Sequence, residues 1–372
     1  MAAKAEAYLS EVLEAFDFGA VVVGAVRFGQ GHINDTFVVH TQPENECCRR
    51  YILQRMSSAA FKRPDQLMDN IIGVTDYLGR EIEKHGGDRS REREAMRVIR
   101  PRSGEPYYTD SDGGAWRVYP FVEDTVCYQS AETPELFAAS GRAFGRFQRL
   151  LQGYPAQTLH ETIPHFHDTE DRLAKLKAAV AADKLGRAAE CRAEIDFMMA
   201  REKDCSAALQ ALRDGILPLR VTHNDTKLNN VLMDKTTGEG ICIIDLDTVM
   251  PGLSINDFGD SIRFGANHSA EDETDLSKVN LDVDLFEAYT QAFLEGAGGT
   301  LTEKEIEYLP WGAKLMTLEC GMRFLTDYLE GDVYFHISRE RQNLDRCRTQ
   351  CKLVQDMEAR WDELAAIAAK YR

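Results

Sequence analysis

The stretch Val221-Thr222-His223-Asn224-Asp225-Thr226-Lys227-Leu228-Asn229-Asn230 decides how this chain is read, together with Cys242-Ile243-Ile244-Asp245-Leu246-Asp247 downstream. As spacing, it is His-x-Asp-x-Lys-x-x-Asn, then fourteen residues, then Asp245. Two short apolar runs at 231–233 and 241–244 flank a turn at 235–240, a pattern that predicts a β-hairpin. The hairpin would carry Asp245 to the end of its second strand.

Phosphoryl transfer needs few protein groups but strict placement of them. A carboxylate must accept the acceptor's hydroxyl proton, and Asp225 is the candidate. Mg²⁺ prefers hard oxygen ligands, and Asn230 and Asp245 could supply them. Lys227 could offset charge near the transferred phosphate. The spacing resembles the protein-kinase catalytic loop His-Arg-Asp-Leu-Lys-x-x-Asn. His223 reads as a structural group that packs and orients the loop. Asp257-Phe258-Gly259 spells the kinase metal triplet, but it follows a Pro-Gly-Leu-Ser loop 27 residues after Asn230. Asp257 is therefore expected to hydrogen-bond the backbone of the catalytic loop, leaving the metal to Asp245. Asp247 is a candidate for a supporting or second-metal role.

Working outward, the first third of the chain reads as strands at 20–28, 36–42, 50–55, 98–100, 106–109 and 115–122. A helix is predicted at 64–80 from the stripe Leu67, Ile71, Val74 and Leu78. The charged segment 81–97, with Gly86-Gly87, reads as a solvated loop. Beyond Asp124 helical patterns dominate, at 134–152, 169–182, 187–212, 283–294, 308–329 and 353–371. The expected fold is α+β and bilobal, protein-kinase-like, with a small β-rich N-lobe (1–122) and a larger, mostly helical C-lobe (123–372). A ligand cleft belongs at the junction.

Phe28-Gly29-Gln30-Gly31-His32-Ile33-Asn34 joins two predicted strands. Gly29 and Gly31 permit a tight turn close to phosphates, so Gly29, Gly31 and His32 are candidate nucleotide contacts. On the third strand, where protein kinases place a phosphate-holding Lys, this chain has Gln54 followed by Arg55. Gln54 is taken as the inward residue. The connector Pro120-Phe121-Val122-Glu123 would hold adenine by backbone contacts, with Pro120 and Val122 as its site residues. His165-Phe166-His167-Asp168 reads as a helix start, capped by Asp168 or Thr169, not as a metal site.

Several longer segments narrow the reading. They are Asp112-Gly-Gly-Ala-Trp-Arg-Val-Tyr119, the loop above, Ile243-Ile-Asp-Leu-Asp-Thr248, Asp257-Phe-Gly-Asp-Ser-Ile-Arg-Phe-Gly-Ala266 and Glu319-Cys-Gly-Met-Arg-Phe-Leu325. Over roughly residues 15–360 the chain resembles the bacterial N-acetylhexosamine 1-kinases, within the aminoglycoside phosphotransferase and choline kinase superfamily. That resemblance implies transfer of the ATP γ-phosphoryl group to the anomeric hydroxyl of N-acetylglucosamine or N-acetylgalactosamine, with Mg²⁺. It places Asp225 on the catalytic base, where it also touches the sugar, and Asn230 and Asp245 on the metal ligands. Arg323 and Tyr334 fall on sugar-recognition positions. An enzyme of the same fold acting on an amino alcohol or aminoglycoside stays open as the alternative.

Lys and Arg total 44 against 61 Asp and Glu, a net charge of −17. That excludes a broad basic surface for nucleic acid or anionic membrane. ATP as its magnesium complex remains compatible. The nine cysteines are odd in number and scattered, so reduced thiols are expected, and Cys347 and Cys351 read as neighbours on a helix. The N-terminus reads as an acidic amphipathic helix and no apolar run is long enough to span a membrane, so a soluble cytoplasmic protein is expected. Oligomeric state has no signature.

Overall fold

The computed structural model describes residues 9–29, 34–42, 49–131 and 133–372. Five strands form one antiparallel sheet: β1 (Val22–Arg27), β2 (Asp35–Thr41), β3 (Arg50–Arg55), β4 (Tyr108–Thr109) and β5 (Ala115–Pro120), in the order β1-β2-β3-β5-β4. Side chains alternate along β5. Trp116 and Val118 enter a core with Phe16, Phe18, Val39 and Leu53, while Arg117 and Tyr119 turn to the opposite face. The expected strand at 98–100 is reduced to an isolated bridge, Ile99 to Val118.

Helix α1 (Pro64–Glu94) follows β3 and runs a further fourteen residues past the expected end. Each glycine in a helix interior costs about 1 kcal/mol. Opposing this, Lys84 pairs with Glu81 and Arg91 with Glu83, and Ile82 is buried. The end of the helix is tied to the rest of the chain through Arg93–Asp234 and Glu94–Arg146. Part of the charge that suggested a solvated loop is thus engaged in ion pairs, two within the helix and two to the rest of the chain.

The larger part of the chain is helical: α2 (Pro134–Leu150), α3 (Thr169–Ala182), α4 (Ser254–Gly265), α5 (Val283–Ala297), α6 (Leu309–Glu330), α7 (Gln342–Ala359) and α8 (Trp361–Lys370). The region expected as one helix at 187–212 is three short ones, Arg192–Met199, Glu202–Cys205 and Ala207–Arg213. The helix expected from 353 starts at Gln342 and breaks at Arg360. The expected hairpin is present as β8 (Val231–Asp234) and β9 (Gly240–Ile243), with β6 (Thr125–Val126) pairing β8. Two further strands, β7 (Arg220–Thr222) and β10 (Met250–Gly252), bracket the catalytic loop and the hairpin. This is a kinase-like α+β architecture.

Helix α4 was not among the expected helices, although Ile255, Phe258 and Ile262 fall at helical spacing. Ser254 through Arg263 are all buried, the polar residues of its other face included. Phe258 packs against Phe286, Tyr289 and Phe293 at 5.5–5.7 Å between ring centroids. Burying such a ring contributes about 1.5–3 kcal/mol. Gly259 lets α4 touch α6: a Cβ there would lie 2.2 Å from the Gly312 carbonyl oxygen, and one on Gly312 would lie 2.1 Å from that of Ile255. Asp-Phe-Gly is thus a helix-crossing motif in this chain.

Gly259→Ala is expected to lower stability by about 1–3 kcal/mol through overpacking. Denaturant unfolding measures it, and an unchanged midpoint would contradict the tight crossing.

Candidate active site

The catalytic loop leaves β7 and turns sharply at Asn224, which has a left-handed φ of 65°. Asp257, near the start of α4, holds the turn. Its carboxylate accepts the His223 N–H at 3.0 Å, the Asn224 N–H at 2.8 Å and the Gln148 amide at 2.6 Å. Burial pushes this carboxyl above its ordinary range, against the pull of those bonds. Asp257 therefore does what its sequence position suggested.

His223 sits edge-on to Phe144 and Phe147. Its Nδ1 accepts the Asp225 N–H at 3.3 Å, so the ring proton is on Nε2, which donates to the Ile244 carbonyl at 2.9 Å. This ring links the candidate catalytic loop to the strand that ends before Asp245. Thr248 donates to the His223 carbonyl at 2.6 Å and Ile244 N–H to the Asn230 carbonyl at 2.9 Å. The two loops are one unit.

Asp225, Lys227 and Asn230 meet within that unit. Lys227 Nζ lies 2.7 Å from Asp225 Oδ1, and Asn230 Nδ2 donates to Asp225 Oδ2 at 3.1 Å and to its carbonyl at 2.8 Å. Burial works against the Lys227 charge, but Asp225 and Asp260 outweigh it and raise the ammonium above its ordinary pKa. With Nδ2 committed, Asn230 Oδ1 is its open face. Asp245 has a left-handed φ of 60°. Its carboxylate is open to the cleft and accepts no hydrogen bond among the described residues. The surrounding protein still strips much of its hydration, and this, then the charges of Asp247 and Asp225, push it up to about 6.

On the sheet side, Gln54 of β3 stands directly opposite Arg117 of β5. Its Oε1 accepts from Arg117 Nε at 3.0 Å and Nη2 at 2.9 Å, which places Gln54 inward. Arg117 Nη1 also bonds Asp247 Oδ1, and Asn34 Nδ2 donates to Asp247 Oδ2 at 2.6 Å. Asp247 therefore has both oxygens occupied. The role of Arg117 was missed in the sequence, where its signal was a charged residue inside the apolar strand Trp-Arg-Val-Tyr. Gly29 adopts a left-handed φ of 79° after β1, while Gly31 and His32 lie outside the described residues. Pro120 ends β5 opposite Tyr51. Val122 is buried, and its carbonyl accepts the Thr125 hydroxyl at 2.9 Å.

On the far side of the catalytic loop, Asp168 caps α3 through the Asp171 N–H at 2.9 Å, as expected. The sequence reading missed His167. Its Nε2 faces the Asn224 carbonyl at 3.1 Å and its Nδ1 faces Glu319 Oε1 at 3.3 Å. Both partners are acceptors, so the ring is an imidazolium. Burial opposes that charge, and Glu319 and Asp260 raise its pKa nonetheless. Glu319 Oε2 is buried with no partner. Arg323, one turn along α6, is half-buried and has no carboxylate partner among the described residues. Its guanidinium lies 5.8 Å from the Tyr334 ring centroid and 5.3 Å from that of Phe335. Tyr334 is 73% exposed. Asp327 fixes its loop by accepting the N–H groups of Val333, Tyr334 and Phe335 at 2.8–3.0 Å. A cavity of about 370 Å³, lined in part by Arg263, Phe264, His268 and Glu271, opens nearby. Arg263 bonds Asp260 at 3.0 Å, and Asp260 holds the Thr226 N–H at 3.0 Å.

The arrangement offers an oriented carboxylate, a cation beside it, and an amide oxygen with a carboxylate able to take a hard metal ion. No helix among the described residues is long and apolar enough to cross a membrane.

Comparison with solved structures gives the same fold. A phosphotransferase from Alicyclobacillus acidocaldarius is 14% identical with a TM-score of 0.59, over 97% of this chain and 96% of that one. The GDP complex of an aminoglycoside 2'-phosphotransferase is 13% identical with a TM-score of 0.58, over 95% and 98%. An amicoumacin kinase in complex with AMP-PNP, Ca²⁺ and Ami is 16% identical with a TM-score of 0.57, over 94% and 92%. The sequence pattern of the APH family, described as the phosphotransferase enzyme family, matches residues 24–290. The chain therefore belongs to the APH phosphotransferase family, as an enzyme that phosphorylates small-molecule alcohols.

Proposed function

We propose that this enzyme transfers the γ-phosphoryl group of ATP to the anomeric hydroxyl of an N-acetylhexosamine, with 1–122 as the nucleotide lobe and 123–372 as the acceptor lobe. The observation that carries the acceptor class is charge pairing. Asp225 is paired with Lys227, Asp260 with Arg263 and Glu319 with His167, while Arg323 has no carboxylate partner among the described residues. A cationic acceptor wants spare carboxylates. A neutral polyol suits a free guanidinium, which offers a planar fork of donors to sugar oxygens. The exposed Tyr334 ring beside it can cover a sugar face. One feature favours the second reading, an amino alcohol: the unpartnered Glu319 Oε2 could receive an ammonium.

In this reading the anomeric O–H gives its proton to Asp225 as the oxygen bonds phosphorus, and the bond to the β-phosphate oxygen breaks to release ADP. An anomeric hydroxyl is more acidic than an ordinary alcohol, so a carboxylate suffices as base. Lys227 steadies Asp225 and offsets charge beside it. Asn230 and Asp245 fit a hard cation, since one presents an open amide oxygen and the other an open carboxylate. Mg²⁺ held there would offset the negative charge of the phosphates.

Asp225→Asn is expected to cut turnover roughly 10²–10⁴-fold with ATP binding kept. Substantial residual turnover would remove Asp225 from the base role. Arg323→Ala is expected to raise the acceptor KM about tenfold or more, the loss of a charged hydrogen bond, and to leave the ATP KM nearly unchanged. Equal effects on both would reject the sugar contact. A coupled ADP-release screen over N-acetylglucosamine, N-acetylgalactosamine, choline and an aminoglycoside, with the product position read by phosphorus NMR, separates the two readings.

Asp245 gives a pH prediction for the metal-free protein. Its folded pKa of about 6 lies above the ordinary 3.8. Between these values the unfolded chain ionises while the folded one keeps its proton, so stability falls as pH rises. Thermal melts of wild type and Asp245→Asn should diverge across this window. Parallel profiles would reject the raised pKa.

A further inference from the structure

We propose that Arg117 is the cation that receives the phosphates of the nucleotide, displaced by one strand from the site of the protein-kinase lysine. The proposal rests on the reading of this enzyme as an ATP-dependent phosphotransferase. Protein kinases carry that Lys on the third strand. Here the third strand offers Gln54, and Arg117 faces it across the β3–β5 ladder. Neighbours directly opposite in such a ladder share a face, and the bonds from Arg117 to Gln54 Oε1 confirm it. The charge has moved sideways and stayed on the same wall.

Burial separates Arg117 from the other arginines of the sheet. Its side chain is 1% exposed, against 69% for Arg27, 35% for Arg50 and 37% for Arg55. A buried ion pair is a weak source of stability, because desolvating both charges costs about what their attraction returns. Stability alone is thus a poor reason for Arg117 and Asp247 to be there. Their position supplies a better one. Asp247 lies two residues beyond Asp245, and its second oxygen is held by Asn34, which also accepts the Ser57 N–H at 3.0 Å. Asp247 is thereby a bracket that fixes the guanidinium beside the candidate metal carboxylate. A guanidinium has five N–H donors. Two go to Gln54 and one to Asp247, leaving two with no partner among the described residues. These remaining donors, one on each Nη nitrogen, can make charge-assisted bonds to phosphate oxygens.

The test is calorimetric titration with AMP-PNP plus Mg²⁺ and, separately, with adenosine, which carries no phosphate. Arg117→Gln is expected to weaken the triphosphate roughly 10–100-fold, the loss of charge-assisted hydrogen bonds, while adenosine changes little. The exchange variant Gln54→Arg with Arg117→Gln should recover most of the triphosphate affinity, since it returns the charge to the same wall. Equal losses for both ligands, or no loss for either, would overturn the proposal. Should the neutral variant not fold, the guanidinium Nε resonance of Arg117, assigned with Arg117→Lys, gives the answer in the unaltered protein. It should shift with AMP-PNP and not with adenosine, and an unmoved resonance would overturn the proposal. An unaltered protein that takes up adenosine nucleotides of no kind would instead reject the ATP reading itself.

Discussion

One buried carboxylate sets the shape of the catalytic centre. Asp257 accepts two successive backbone N–H groups, from His223 and Asn224. Those groups point the same way only because Asn224 is left-handed, a conformation that a side-chain-bearing residue adopts at a cost of order 1–3 kcal/mol. The bonds to Asp257, together with Asn224 Nδ2 donating to the Thr248 carbonyl at 2.8 Å, offset that cost. Once the turn is fixed, Asp225 follows in the next position and His223 is set between two phenylalanines. Helix α4 can deliver Asp257 only because it crosses α6 at glycines, which lets it lie deep in the protein. A packing feature of the core is thus the cause of a backbone angle in the active site.

The acidic character of the chain is resolved locally. Asp225, Asp247, Asp260 and Glu319 each face a cation contributed by the fold: Lys227, Arg117, Arg263 and the His167 imidazolium. Asp245 differs in having no hydrogen-bonded or ion-paired partner among the described residues, and burial, then the charges of Asp247 and Asp225, raise its pKa. The centre therefore holds one carboxylate in deficit of positive charge, at the place proposed above for the divalent cation. Net charge read over the whole chain has no access to this, since it averages paired and unpaired groups.

What was legible in the sequence follows from the range of the interactions. Strands β1 to β3, the hairpin and helix α3 were marked by local periodicity, and Asp225, Lys227 and Asn230 by fixed spacing along one loop. Helix α4 was not expected, although Ile255, Phe258 and Ile262 recur at helical spacing, because the run was read as an Asp-Phe-Gly triplet after a Pro-Gly-Leu-Ser loop. The run-on of α1 was hidden by two glycines and a density of charge that normally means solvent. Arg117, His167 and Glu319 lie 108, 58 and 94 positions from Asp225, and no short-range pattern encodes such meetings. Arg117 left one trace, a charge within an apolar strand, which has meaning only once a partner such as Asp247 is known.

The length of α1 bears on how the cleft can open. Leu67, Ile71, Val74 and Leu78 share one core with Met56 and Tyr119 on the sheet side and with Phe147, Val221, Leu246 and Val249 on the helical side. Asn70 donates to the carbonyls of His160 at 2.8 Å and Val249 at 3.0 Å, and the far end is pinned through Arg93 and Glu94. α1 is therefore common to the sheet and to the helical part. Any motion between the two has to shear one of its packed faces, so the helix works as a shared wall that neither side can leave without exposing apolar surface.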